Sequence, residues 1–85
     1  MTWQILVKPS VRKILRDFPK KDESRILDAI SEFTLDPYAG DTLKLKDVGE
    51  IWRRRVCNYR IMYEIYERIR IVHVFEIKRR TSTTY

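Results

Sequence analysis

The apolar residues of this chain change their spacing once, in the PYAGD segment at residues 37–41, and that change limits the fold more than any other feature. Before it, apolar positions recur every three or four residues; after it, they alternate in twos. A chain that codes helices first and strands afterwards is expected to build an α+β domain, with the helices on one face of a sheet.

The helical half reads as a hairpin. Ser10 is a plausible N-cap, and Val11, Ile14, Leu15 and Phe18 form one apolar stripe that ends before Pro19. Asp22 or Ser24 can start a second helix whose Ile26, Leu27, Ile30 and Phe33 repeat the spacing, until Asp36-Pro37 stops it. A short apolar run at 2–7, closed by Pro9, precedes the hairpin and reads as a strand.

After the switch, LKLK at 43–46, IWRRRV at 51–56, RIMYEIY at 60–66 and IRIVHVFEI at 69–77 read as strands, with turns at Asp47-Val48-Gly49, Cys57-Asn58 and Glu67-Arg68. The last strand is apolar on both faces, as expected inside a sheet rather than at its edge. The expectation is two N-terminal helices packed on one face of a small antiparallel sheet whose other face is uncovered. With 85 residues, one domain spanning 1–85 accommodates this order, and no repeat or linker divides it.

Composition decides less. One cysteine, Cys57, precludes an internal disulfide, and a single histidine leaves too few soft ligands for structural zinc, so no staple is expected to hold the fold. No signal-peptide pattern and no apolar run of about 18 residues occurs, which points to a soluble cytoplasmic protein and away from the membrane.

Charge is more informative. Residues 1–42 carry seven Lys/Arg and seven Asp/Glu, whereas residues 43–85 carry eleven against five, so the net charge of +6 belongs wholly to the strand half. A basic half joined to a neutral half suits a polyanionic partner. Arg53 and Arg55 share one face of their strand, Arg60 begins the next, Lys44 and Lys46 share a face of theirs, and Arg79 and Arg80 leave the last strand, so these cations are expected to converge. Arginine's planar fork of donors suits phosphate oxygens. Among the aromatics, Trp52, Tyr59 and Tyr66 can stack on bases, while Tyr63 fits the core better.

Cleaving RNA by attack of a ribose 2′-hydroxyl needs a base, an acid and a stabiliser of phosphorane charge. His73 is mid-strand between Val72 and Val74 and reads as structural. The remaining proton carriers are lysines and Tyr85, since guanidinium does not release its proton.

Taken together, the helical hairpin, the Trp52–Tyr63 pattern W-R-x-R-V-x-x-Y-R-I-x-Y and the ending KRRTSTTY resemble the RelE/ParE superfamily of bacterial toxin–antitoxin modules, over nearly the whole chain. The resemblance implies a four-stranded antiparallel core and a cognate antitoxin that covers the toxin in a hetero-oligomer. It also implies one of two activities: RelE-like members cleave mRNA in the ribosomal A site without metal and inhibit translation, whereas ParE-like members inhibit DNA gyrase without cutting RNA.

The nuclease pattern falls on Arg53 and Arg55, on Arg60 after Tyr59, on Arg79, and on Tyr85 six residues later. The implied roles are phosphate binding by Arg53, Arg55 and Arg60, charge stabilisation or leaving-group support by Arg79, and stacking or proton transfer by Tyr85. Lys44, Lys46 and Arg80 would add contacts to RNA or ribosome. Arginine replaces the lysine pair common in the family, which leaves the base open among Tyr85, Lys46 and Lys44. Arg54, where an apolar residue is usual, is expected to reach solvent or a carboxylate such as Glu64 or Glu76.

Overall fold

The computed structural model describes residues 2–45 and 49–79, so Lys46, Arg80 and Tyr85 lie outside the described residues. The elements follow as β1 (Gln4–Val7), α1 (Pro9–Arg16), α2 (Lys20–Glu32), β2 (Thr42–Lys44), β3 (Ile51–Val56), β4 (Tyr59–Tyr66) and β5 (Ile71–Arg79).

Both helices start earlier than their polar residues suggest. Pro9 is the first residue of α1, where its fixed φ fits and its missing N–H costs nothing, and Lys8 is the cap in place of Ser10. Pro19 likewise precedes α2, and Asp22 and Glu23 sit in its first turn, facing the positive end of the helix dipole. Neither cap makes a side-chain hydrogen bond.

The sheet is mixed, with strand order β1-β5-β4-β3-β2. This corrects the all-antiparallel expectation: β1 runs parallel to β5, pairing Gln4 with Ile71 and Val7 with Val74, while the other neighbours are antiparallel. The alternation of β1 is equally compatible with either direction, and pairing with β5 is set by where the helical hairpin returns the chain. The expectation that β5 is interior is met, since β1 and β4 flank it.

Alternation along β4 sends Tyr59, Ile61, Tyr63 and Ile65 to one face, where they share a buried cluster with Val11, Leu15, Ile26, Ala29, Ile30 and Phe33 of the helical half. Phe18 lies against Tyr59 and Phe33 against Tyr63, with ring centroids 4.7 and 4.3 Å apart. Each such side chain contributes about 1.5–3 kcal/mol on burial. The β5 partners in the cluster are Val72, Val74 and Ile77, a spacing that breaks strict alternation. A bulge explains it, because Tyr63 pairs with Val74 but Met62 pairs with Glu76, leaving Phe75 as the additional residue. Ile77 is thereby returned to the core, and Glu76 and Lys78 on either side of it are exposed.

Candidate functional site

Cross-strand partners point the same way from a sheet, so the register places the cations without further assumption. Arg55 pairs with Arg60, which pairs with Lys78. One step along, Arg53 pairs with Met62, which pairs with Glu76. These two rows lie on the face away from the buried cluster, near the β3–β4 turn.

Like charges directly opposite one another destabilise a sheet by up to about 1 kcal/mol, so the Arg55–Arg60 pair is not there for stability. Asp41 offsets part of this. Its carboxylate is 3.3 Å from Arg53 Nη1 and 3.8 Å from Arg55 Nε, and Arg53 also donates to the Asp41 carbonyl at 3.3 Å. Asp41 therefore orients two guanidiniums whose donors a phosphate would otherwise claim. Arg60 and Lys78 are in no ion pair among the described residues, and Arg60 Nε is buried without a hydrogen-bond partner.

Arg79 is turned to the opposite face. It pairs with Tyr59, and its guanidinium carbon stands 6.0 Å from the Tyr59 ring centroid. Tyr59 itself is 2% exposed and donates its hydroxyl proton to Asp22 Oδ2 at 2.7 Å, which corrects its reading as a base-stacking ring. That hydrogen bond pushes the Tyr59 phenol above its ordinary pKa, with burial adding to the effect. Lys44 also departs from the expected convergence: it pairs with Trp52, on the cluster-facing side, and its ammonium is 3.6 Å from Glu50. The structure thus brings Arg53, Arg55 and Arg60 onto one face, separates Lys44 and Arg79 from that face, and adds Lys78, which sequence reasoning missed. The signal for Lys78 was present as alternation with Ile77, but the bulge at Phe75 shifts the phase and hides it.

Arg54 reaches neither of the carboxylates anticipated for it. It lies on the cluster-facing side, and its Nη2 donates to Glu32 Oε1 at 2.9 Å, from the end of α2. His73 faces away from the cluster, with Nδ1 3.0 Å from Glu64 Oε1. At about 3.3 Å per residue, Glu64 is roughly 13 Å along β4 from Arg60, too far to share a phosphate with it.

Two helices after a short first strand, then an antiparallel run that turns an arginine-rich face outward, define the class of this chain: it has the RelE toxin fold. A structure of the RelE–RelB complex from the archaeon Pyrococcus horikoshii is similar with a TM-score of 0.86 and 24% identity, covering 98% of this chain and all of that one. The RelBE2 toxin–antitoxin complex of Mycobacterium tuberculosis follows at 0.81 and 15% identity, covering 94% and 100%. A YoeB/ParE toxin from Agrobacterium tumefaciens gives 0.75 at 19% identity, covering 92% and 99%. No family model matches the sequence, and no curated protein matches it, so the likeness is carried by the fold.

Proposed function

We propose that this protein is the toxin of a type II toxin–antitoxin module and an endoribonuclease that cuts mRNA in the ribosomal A site, halting translation in the cytoplasm. The observation that carries the reading is the three-strand row Arg55, Arg60 and Lys78 with Arg53 beside it, a surface whose charge repulsion is relieved by a phosphodiester. In-line attack of the 2′-hydroxyl on phosphorus gives a 2′,3′-cyclic phosphate and a free 5′-hydroxyl. Arg53, Arg55 and Arg60 bind and polarise the phosphate, and the ribosome supplies the orientation of the nucleophile. Tyr85, Lys46 and Arg80 act around that centre, as the family resemblance implies, while Lys44 and Arg79, on the opposite face, contact RNA or ribosome outside it. The chemistry assigned to these groups calls for no metal or cofactor.

An antitoxin is the natural cover for the apolar side chains left in water, of which Leu35 is 76% and Ile69 63% exposed. The solved relatives that are RelE–RelB complexes agree with such a partner.

Incubation with a defined messenger on ribosomes, with the A site empty or filled and a naked-RNA control, tests the reading. Cuts confined to the empty A site, reduced at least 100-fold in Arg60→Ala, are expected. The likeness to a YoeB/ParE toxin, taken with the ParE-like branch that the family resemblance implies, supports a second reading, gyrase inhibition through protein binding. An intact messenger in every lane, together with loss of gyrase supercoiling, would decide for it.

A further inference from the structure

We infer that Glu76 and Lys78, two residues apart on β5, are the general base and general acid of this face. The assignment rests on the nuclease reading and fills the place it leaves open, the transfer of protons. Ile77 lies between them and is 7% exposed, so its anchoring in the core turns both neighbours outward. Their register then places both near the cations: Lys78 pairs with Arg60, whose other partner is Arg55, and Glu76 pairs with Met62, diagonal to Arg60 and one strand from Arg53.

Elimination among the described residues points the same way. Three of the four cations on this face are arginines, whose guanidinium does not transfer its proton, whereas Lys78 carries an ammonium, a type of group that serves as a general acid. Tyr59 faces the other side and is held by Asp22; Tyr66 and His73 stand at the far end of the sheet. Of the two carboxylates beside the cations, Asp41 is engaged by Arg53 and Arg55, while Glu76 is in no ion pair among the described residues. Residues i and i+2 of a strand are about 6.6 Å apart at Cα, so their flexible ends can straddle one phosphodiester, one at the attacking oxygen and one at the leaving oxygen.

As the 2′-oxygen bonds to phosphorus, its proton passes to the Glu76 carboxylate; as the bond from phosphorus to O5′ breaks, the Lys78 ammonium protonates that oxygen. The neutral acid and amine left behind re-equilibrate through water. Arg60, between Arg55 and Lys78, holds the non-bridging oxygens.

A messenger with a single 5′-bridging phosphorothiolate at the mapped cut separates the two roles, because a thiolate leaves without being protonated. Lys78→Ala is expected to slow cleavage of the oxygen messenger by about 10²–10⁴-fold and to recover to within about tenfold of the parent on the sulfur messenger. Lys78→Arg, which keeps the charge and loses the transferable proton, should behave like Lys78→Ala. Glu76→Gln should be slow on both messengers. Both side chains are exposed, so melting temperatures within a few degrees of the parent would show that the variants fold. Full activity of Lys78→Arg, or no recovery of Lys78→Ala with sulfur, would overturn the acid; an unimpaired Glu76→Gln would overturn the base. A parent that cuts neither messenger would remove the nuclease reading and this pair with it, an outcome distinct from a parent that cuts and variants that do so equally well.

Discussion

Arg54 and Glu32 join the sheet to the end of the second helix: the guanidinium Nη2 donates to the carboxylate at 2.9 Å, with the Arg54 side chain 13% exposed and that of Glu32 57%. The same guanidinium is stacked against Gly40, where a Cβ would come within 2.6 Å of Arg54 Cζ. The segment that carries the change of period is thereby packed onto the strand whose arginines face the other way. Arg54 is therefore a structural residue, and its alternation with Arg53 and Arg55 gives the RRR run two separate tasks.

Gly40 is predicted to resist substitution for two reasons, its φ of +82° and the Arg54 contact. Gly40→Ala should cost at least about 2 kcal/mol, the sum of left-handed strain and displacement of the guanidinium. In an Arg54→Ala background the cost should fall toward the strain alone. Urea unfolding of the two single variants and the double variant measures this coupling, and strict additivity would refute the contact.

Asp41 competes with RNA for Arg53 and Arg55. Asp41→Ala should therefore tighten binding of a short RNA several-fold and steepen its dependence on salt, since two more cations are released to phosphate. The pairs are partly exposed, so stability should change by less than about 1 kcal/mol. Fluorescence anisotropy across a salt series checks both expectations; weaker binding would mean that Asp41 chiefly orients the arginines.

Alkaline pH should unfold the protein through its buried phenols. Donation to Asp22 raises the pKa of Tyr59 above its usual 10.0, and burial raises that of Tyr63, which is 0% exposed and donates to the Pro37 carbonyl at 2.9 Å. A folded-state value above the unfolded one means that this stability is fully present below about pH 10 and is lost as pH climbs through the folded values. Thermal melts between pH 8 and 11.5 should show the decline beginning near 10, with absorbance at 295 nm revealing two tyrosines that ionise only as the chain unfolds. Tyr59→Phe should weaken the pH dependence; an unchanged slope would contradict the Asp22 hydrogen bond as its source.

Much of the architecture was legible because it depends on local periodicity. The order of elements, the boundary at the PYAGD segment, the Cys57-Asn58 turn, the core position of Tyr63 and the shared face of Arg53 and Arg55 all follow from side-chain direction along one strand or one helix. Where a residue's fate depends on a partner distant in the chain, the same rules were silent. Arg54 finding Glu32, Tyr59 finding Asp22 and Asp41 bridging two arginines are separated by 22, 37 and at least 12 residues.

Sequence alone determined that this chain is α+β with its positive charge in the strand half, because amphipathic spacing and charge are written residue by residue. Tertiary structure alone decided that β1 joins the sheet parallel to β5, that Arg79 turns from Arg60, and that Lys78 and Glu76 stand with the arginines. The physical reason is the register between strands. One bulge at Phe75 exchanges the faces of every residue after it, and no spacing within β5 records where β4 will impose it.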